Sequence, residues 1–421
     1  MTDLRVIYGL VLLAPFVACA HTEEPLGTVS ASQGGGFAAG GSDPCSASAS
    51  TGGSGGSSVR KPPPYNFGND VLPVDKCPKV APSGGNSSTG PTAGSGGHVG
   101  GGVASAGGLA CGGSLGPTPV VDTFDASNCK QPAHQPDCTN GWCRVPPGCF
   151  VMGSPEGEWG HAPIEDMQVA VTLTRPFEIM QHELTQGEWT AAGFANPSGL
   201  QPNGKGDCID AKCPVGNVNW YEAVWYANLL SAQATPALPA CYKLETCRGT
   251  PGLGVGPGLV CDTVTATAST VYECKGYRLP TDAEWEYAAR AGTRTAFYSG
   301  DITVYPERYV CNCDRNLEKI GWYCFNSGGL THPVGLLEPN RLGLFDMSGN
   351  AMEWVNDASD GRPAQVPIDP DGKVVPTNTS QNVRGGFALV WASESRSTRQ
   401  SEASRDFRSV ARGFRLARTL P

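Results

Sequence analysis

The sequence predicts an α+β domain that is rich in loops and has a low content of regular secondary structure. Three segments carry a helix-start signature, in which an N-cap side chain and a Glu three residues later satisfy each other's free backbone donors. Phe177–Gln181 alternates apolar and polar residues as a strand does. Gly, Pro, Asn and Asp recur through the remainder and favour turns. The helix starts are Thr185/Glu188, Asn219/Glu222 and Thr281/Glu284.

The helices themselves are predicted to be short. The second is expected at Trp220–Leu230, and the third at Asp282–Ala291, where Gly292 ends it. Many loops on few regular elements need additional stabilisation, which disulfides and bound ions can supply.

The first residues resemble an export signal that ends in a lipidation motif. Arg5 precedes the apolar run Val6–Ala18, which is too short to cross a bilayer as a helix and fits the hydrophobic part of a signal peptide. Cys19 follows Phe16-Val17-Ala18, which is similar to a bacterial lipobox. We therefore expect residues 1–19 to form a signal peptide and Cys19 to carry a lipid. The alternative is ordinary cleavage nearby, with Cys19 discarded.

Ala20 after the cysteine is typical of outer-membrane sorting. The expectation is an exported protein that is lipid-anchored to the outer membrane, or that lies in the periplasm or at the cell surface.

Residues 20–120 are predicted to form a disordered tether. Gly, Ser, Ala, Pro and Thr dominate this segment, and all nine tryptophans lie at or after Trp142. Such a segment cannot bury enough apolar area to offset its chain entropy. A small module at Pro62–Cys77 is the alternative. Residues 121–146 are interpreted as a cysteine-rich lead-in, and residues 147–421 as the folded domain.

The cysteines predict a disulfide framework. Removing Cys19 from the 17 cysteines leaves 16, an even number, in a chain with an export signal. The spacings lack the matched CxxC pairs of a zinc site. Cys208 and Cys213 are expected to close a local loop. Two further bridges are expected within one insertion, among Cys241, Cys247, Cys261 and Cys274.

Four motifs resemble the formylglycine-generating enzyme family, also called sulfatase-modifying factors. They are GYRLPTDAEWEYAARAG at 276–292, GLFDMSGNAMEW at 343–354, Arg384-Gly385-Gly386, and RGFRL at 412–416. The resemblance covers roughly residues 147 to 418. It implies a variant of the C-type lectin-like fold, which is an α+β fold with little regular structure.

The resemblance also implies a structural calcium ion. The family positions that match Asp346, Gly349, Ala351 and Glu353 bind calcium through the first and last side chains and the two intervening carbonyls. Calcium takes six to eight oxygen ligands, and these groups are of that kind. The alternatives are solvated carboxylates, or a Glu353 that pairs with a buried arginine.

A second calcium site of some family members matches less well. Its positions correspond to the side chains of Asn312 and Asn326 and the carbonyls of Cys313 and Gly328. None of these groups is a carboxylate, so the site is expected to be weak unless Asp314 contributes.

The resemblance ends at the catalytic cysteines. The family's oxidases carry two cysteines, four and nine residues after the second glycine of the RGG motif, and use them to bind copper and activate dioxygen. Thiolates suit Cu(I) and are the reactive form of cysteine. The corresponding residues are Val390 and Ser395, so copper is not expected. Phe387 replaces the motif serine, and Met352 replaces an aromatic residue.

Other cysteines could take over the redox role. Cys311, Cys313 and Cys324 lie in the body of the domain, and two of them are separated by a single residue. Structural disulfides are the simpler interpretation.

The C-terminal segment is rich in arginine. Arg412 and Arg415, within the closing motif, are expected to be structural, since guanidinium groups satisfy buried acceptors in loop-rich domains. An anion-binding role stays open for Arg396, Arg399, Arg405 and Arg408. Candidates for lining a binding cleft are Phe387, Trp391, Arg396 and Arg399.

These features lead to two functional hypotheses. The first is a calcium-stabilised binding or scaffolding module without oxidase activity, with a protein, peptide or glycan ligand at the cell envelope and a membrane attachment through its lipid. The second is an oxygen-dependent oxidoreductase that makes formylglycine from a protein cysteine with relocated catalytic residues. Proteins that bind nucleic acid need a basic face, and nothing in a net charge of -9 suggests one. Nucleic acid is therefore not an expected partner.

Overall fold

The computed structural model describes residues 122–129, 131–162, 167–199, 203–253, 258–304, 311–359, 368–370, 372–375 and 380–421. The predicted signal peptide with Cys19 and the predicted tether lie outside these residues. Within the described ranges, no helix has the length and apolar character needed to cross a membrane.

The strands are short. In chain order the described strands are β1 (Cys138–Thr139), β2 (Trp142–Val145), β3 (Gly148–Met152), β4 (Val169–Leu173), β5 (Phe177–Met180), β6 (Tyr242–Arg248), β7 (Val260–Ala266), β8 (Met352–Ala358), β9 (Ser380–Arg384), β10 (Gln400–Ser404), β11 (Arg412–Phe414) and β12 (Ala417–Thr419).

These strands build two four-stranded sheets and two separate pairs. The first sheet has the order β1-β2-β5-β12 and is antiparallel. The second has the order β10-β9-β8-β11, with β11 and β8 parallel and the other pairs antiparallel. β3 pairs with β4 and β6 with β7. The predicted loop-rich α+β architecture is confirmed.

All three predicted capping boxes are present, so the helix starts are correct. α1 spans Gln186–Ala191, α2 spans Trp220–Gln233, and α3 spans Asp282–Arg290. α2 is three residues longer than predicted. α3 ends one residue early, because Ala291 already adopts a left-handed conformation with φ 46°. Short 3-10 helices lie at Val271–Glu273, Leu317–Lys319 and Ala392–Ser395.

The folded domain begins before the predicted boundary at residue 147. β2 lies between β1 and β5 inside the first sheet, and its residues Cys143 and Val145 are fully buried. The segment 121–146, interpreted as a lead-in, therefore contributes an interior strand to the domain.

Each of the longer helices packs into its own part of the core. α2 places Trp220 and Val224 against Trp354 and Phe414 of the second sheet. α3 is buried along its whole length and packs among the residues of the first sheet and of β3 and β4. The two helices thereby fix both sheets beneath the C-terminal loops.

The disulfide predictions that fall on described residues are confirmed. Cys208 bonds to Cys213, and the insertion contains two bridges of its own. Every cysteine of the described residues is disulfide-bonded, Cys313 included. Six of the pairs join two described residues: Cys129–Cys149, Cys138–Cys143, Cys208–Cys213, Cys241–Cys274, Cys247–Cys261 and Cys311–Cys324.

One buried carboxylate ties three loops together. Asp207 is fully buried, and it accepts hydrogen bonds from the N–H groups of Ala411 and Gly199 and from the amide of Asn217. Burial raises the pKa of Asp207 from 3.8 to about 6, and the backbone donors offset this only in part.

This raised pKa predicts a pH-dependent stability. The native state holds the Asp207 proton more tightly than the unfolded chain does. The stabilisation from that proton is therefore complete below the unfolded pKa of 3.8 and is lost as the pH rises through about 6. The loss amounts to roughly 3 kcal/mol of unfolding free energy. In Asp207→Asn we expect a correspondingly smaller decline, measured by urea unfolding across this pH range. Equal declines in both proteins would show that Asp207 does not titrate there.

Candidate functional site

The segment after β9 is anchored to α3 by a buried arginine. Arg384 pairs with Asp282 and Glu286 of α3, and its Nη1 also donates to the carbonyl of Thr398 at 2.9 Å. Burial alone would lower the pKa of Arg384, but the two carboxylates raise it above its ordinary value. The arginine thus stays charged and holds both ends of the segment 385–398 against α3.

Two glycines let this segment turn sharply. Gly385 and Gly386 have φ values of 92° and 68°, which favour glycine. A Cβ atom at Gly386 would lie 2.7 Å from the hydroxyl of Ser395, which is too close for any real contact. The chain therefore passes directly over the 3-10 helix Ala392–Ser395.

The two positions that match the oxidase cysteines are both buried. Val390 is 6% exposed, and its carbonyl accepts the N–H of Cys324 at 3.0 Å. Ser395 is fully buried, and its hydroxyl finds no hydrogen-bond partner in the described part of the chain. Neither side chain offers a thiolate, so the arrangement at these two positions is unsuited to Cu(I).

The cleft candidates divide into two groups. Phe387 and Trp391 are partly exposed, and Phe387 packs against the core cluster that contains Met352. Arg396, in contrast, is fully buried and donates to Glu158 at 2.7 Å, so it does not line an open cleft as predicted. Arg399 is partly exposed and pairs with Glu394 at 2.8 Å.

Other residues approach the segment that the sequence analysis did not assign to it. Ser327 donates its hydroxyl to the carbonyl of Ala388 at 2.6 Å. His332 bonds to the carbonyl of Ser327, and its ring stacks on Trp322 at 3.8 Å between centroids. Burial lowers the pKa of His332. No spacing in the sequence links these residues, because only the tertiary fold brings them to the segment.

Two carboxylates of the predicted calcium loop, Asp346 and Glu353, form a buried acidic cluster with Glu183. Glu183 was not predicted, and it joins the loop by accepting the N–H of Ala351 at 3.2 Å. Asp346 accepts the N–H of Gly335 at 2.8 Å. Burial and the neighbouring carboxylates raise the pKa of Glu183, and burial is the main cause of the raised pKa of Asp346.

Glu353 was predicted to be a calcium ligand, but its carboxylate forms an ion pair with the buried Arg415 instead. Arg415 donates to both carboxylate oxygens of Glu353, at 2.7 and 2.8 Å, and the indole N–H of Trp285 donates to one of them at 2.9 Å. This is the alternative pairing that the sequence allowed. Glu353 is therefore less available to a cation than Asp346.

The residues of the cluster fit a divalent cation in charge. Three carboxylates surround one guanidinium, that of Arg415, which leaves an excess of two negative charges when all are ionised. One oxygen each of Glu183 and Asp346 is buried without a hydrogen-bond partner among the described residues. No group of three or more His, Cys, Asp or Glu side chains in the described residues could hold a metal by itself. Main-chain carbonyls, such as those of Gly349 and Ala351, would have to complete the coordination.

The second predicted calcium site does not fit. The amide of Asn326 accepts the N–H of Tyr323 and donates to the carbonyl of Gly321, both at 2.9 Å. Asp314 uses both carboxylate oxygens on backbone donors around the 3-10 helix Leu317–Lys319. Among Asn312, Cys313, Asn326 and Gly328 no carboxylate is available, so we derive no cation site there.

The C-terminal arginines are mostly structural. Arg408 pairs with Glu222, and Arg418 pairs with Glu178 at 2.9 Å. Arg405 lies over the ring of Trp220 at 4.5 Å. Arg412 is also buried, but it meets no carboxylate, unlike Arg415.

Comparisons with known proteins agree with this architecture. A family model described as the sulfatase-modifying factor enzyme 1-like domain matches residues 128–420. The formylglycine-generating enzyme of Streptomyces coelicolor is 29% identical over 301 residues, which are 68% of this chain and 91% of that enzyme.

The chain is also similar to a second curated protein and to a solved structure. The chaperone protein LppX of Paenibacillus barcinonensis is 31% identical over 201 residues, which are 44% of this chain and 62% of LppX. The structure of Treponema denticola variable protein 1 has a TM-score of 0.50 and 27% identity, and the match covers 66% of this chain and 95% of that one.

The family match begins at residue 128 and so includes β1 and β2, in agreement with the sheet order. The chain belongs to the sulfatase-modifying factor enzyme 1-like domain family, and its fold is the loop-rich α+β, C-type lectin-like fold of formylglycine-generating enzymes.

Proposed function

We propose that this chain is a non-oxidase member of its family, acting as a cation-stabilised binding or scaffolding module at the cell envelope. One observation carries the proposal. Val390 and Ser395 stand where the family's oxidases carry their copper-binding cysteines. Valine has no donor atom, and a neutral hydroxyl is a poor ligand for Cu(I).

The state of the remaining cysteines supports the same conclusion. Every cysteine of the described part of the chain is in a disulfide, and a disulfide sulfur is neither a thiolate ligand nor a nucleophile. Disulfides at this density form in oxidising compartments, which supports export. The lipid anchor at Cys19 and its membrane remain parts of the proposal.

The proposed ligand would bind at the partly exposed aromatic residues of the C-terminal segment. Phe387 and Trp391 are partly exposed, whereas Arg396 lies in the interior. Aromatic side chains in such positions suit a peptide or a glycan. The similarity to a protein named as a chaperone is compatible with a role in binding other proteins.

One contact favours the competing hypothesis of an oxidoreductase. The N–H of Cys324 bonds to the carbonyl of Val390, so the Cys311–Cys324 disulfide lies against the segment that the oxidases use. Reduction of this disulfide would create two thiols beside that segment. A relocated copper site would have to use them.

The two hypotheses differ in oxygen consumption. We expect the purified chain, with and without copper and a thiol reductant, to consume no oxygen above background with a cysteine-containing peptide. The double variant Val390→Cys/Ser395→Cys serves as the matched control, because it restores the thiols at the family positions and should gain Cu(I) binding. Oxygen uptake by the unmodified chain that is lost in Cys311→Ser/Cys324→Ser would establish the oxidoreductase instead.

The proposed cation, calcium, would be held by the acidic cluster. Unpartnered oxygens of Glu183 and Asp346 would bind it, and Glu353 would balance Arg415. Buried like charges repel one another strongly, so a cation that neutralises them stabilises the native state. This proposal adds Glu183 to the calcium ligands that were predicted from the sequence.

Calcium is therefore expected to raise the unfolding temperature. A free calcium concentration of a hundred times the dissociation constant should stabilise the native state by about 2.7 kcal/mol. For a domain of this size that is a rise of roughly 4–5 °C in unfolding temperature. The double variant Glu183→Gln/Asp346→Asn keeps the side-chain shapes and removes the two excess charges, so it should lose this response. Differential scanning calorimetry with and without a chelator measures both.

Glu286→Gln provides the control for that experiment. It alters a buried carboxylate outside the cluster, which pairs with Arg290 and Arg384. This variant should unfold at a lower temperature yet keep the full calcium response. An unmodified chain that ignores calcium would contradict the proposed cation site.

A further inference from the structure

Within the described part of the chain, Arg412 is a buried cation without an anionic partner. The residue is 5% exposed, and no described residue offers a hydrogen-bond acceptor to its Nε and Nη1 atoms. Nη2 reaches only the sulfur of Met352, at 3.7 Å, and a thioether is a weak acceptor. The closing motif predicts a structural arginine here, but the described residues do not provide the oxygen acceptors that such a role would satisfy.

Each of the other buried arginines of the described residues donates to at least one oxygen acceptor. Arg405 also lacks a carboxylate, but it donates to the carbonyl of Val375 at 2.9 Å and interacts with Tyr221. Each of the rest meets a carboxylate. These pairs are Arg278 with Glu284, Arg290 with Glu286, Arg384 with Asp282 and Glu286, Arg396 with Glu158, and Arg415 with Glu353.

Two aromatic rings form the walls around the guanidinium. The central carbon of the Arg412 guanidinium lies 5.2 Å from the ring centre of Trp354 and 4.8 Å from that of Phe407. Cation–π contacts recover only part of the free energy of desolvating a charge. Burial accordingly lowers the pKa of Arg412 to about 10, with no carboxylate to oppose it.

The position of Phe407 gives this charge a route to solvent. Phe407 lies in the loop between β10 and β11, and it is 42% exposed. A ring that contacts the guanidinium is therefore itself partly open to solvent. Met352, whose sulfur Nη2 approaches, replaces the family's aromatic residue and offers a flexible wall that can adapt to a ligand.

We infer that Arg412 is the binding residue of a site for a small oxyanion, such as a carboxylate, sulfate or phosphate group. The oxygens of the anion accept the free N–H groups of Arg412, and its charge balances the buried guanidinium. Phe407 moves aside to admit it. This site uses neither the acidic cluster nor the segment 387–395, so it stands independently of the proposed function.

Titration of the full chain with sodium sulfate, phosphate and acetate, against chloride at equal ionic strength, tests the inference. We expect at least one oxyanion to give a saturable rise of roughly 3 °C in unfolding temperature, and isothermal calorimetry to report one site. Arg412→Met keeps much of the side-chain volume without the charge. It should be at least as stable as the unmodified chain without anion and should lose the response.

Two matched variants locate the effect. Arg418→Met removes a partly exposed arginine that pairs with Glu178, and it should keep the full response. Arg405→Met removes the other buried arginine without a carboxylate, and it should also keep it. A response that disappears with Arg405, that persists in Arg412→Met, or that is absent from the unmodified chain would overturn the inference.

Phe407→Ala supplies a test that leaves Arg412 in place. Removing the covering ring opens the guanidinium to solvent, so the dissociation constant of the oxyanion should change at least threefold. An unchanged dissociation constant would place the anion elsewhere and contradict the assignment to Arg412.

Discussion

The architecture depends on the burial of α3 together with its carboxylates. Every residue of this helix is buried, including Asp282, Glu284 and Glu286. Burying such charges is costly unless each is paired and hydrogen-bonded. The arginines that pair with them, Arg278 and Arg384, come from the chain before α3 and from the end of β9. One helix therefore fixes the position of the C-terminal segment in which the family places its chemistry.

That arrangement separates the scaffold from the chemistry. The arginine that anchors the segment and the glycines that turn it are retained, because the packing against α3 and against the 3-10 helix requires them. Val390 makes its hydrogen bond to Cys324 through its main chain, and the hydroxyl of Ser395 has no partner among the described residues, so neither side chain makes a polar contact that holds the segment. A change of residue at these two positions is therefore compatible with the fold, and membership of the family does not by itself determine activity.

Local signals in the sequence predicted the parts of the structure that depend on neighbouring residues. The capping boxes and the Cys208–Cys213 bridge involve positions three to five residues apart, and all are present. Long-range contacts were less accessible. Glu183 enters the acidic cluster from the chain before α1, and Arg396 is buried by Glu158 from a distant loop. Arg412 is a further example, because the motif gives the arginine but not the distant residues that pack against it.

The disulfides also determine how the domain would bear a mechanical load. Cys129–Cys149 and Cys138–Cys143 lie where the chain enters the first sheet, and β12, near the other end of the chain, pairs with β5 in that same sheet. A pull on the N-terminal side would pass from Cys129 to Cys149 in β3 through a covalent bond, so β1 and β2 would not carry it. In a module tethered by its N-terminal side, those two strands would therefore stay paired under load as long as the environment stays oxidising.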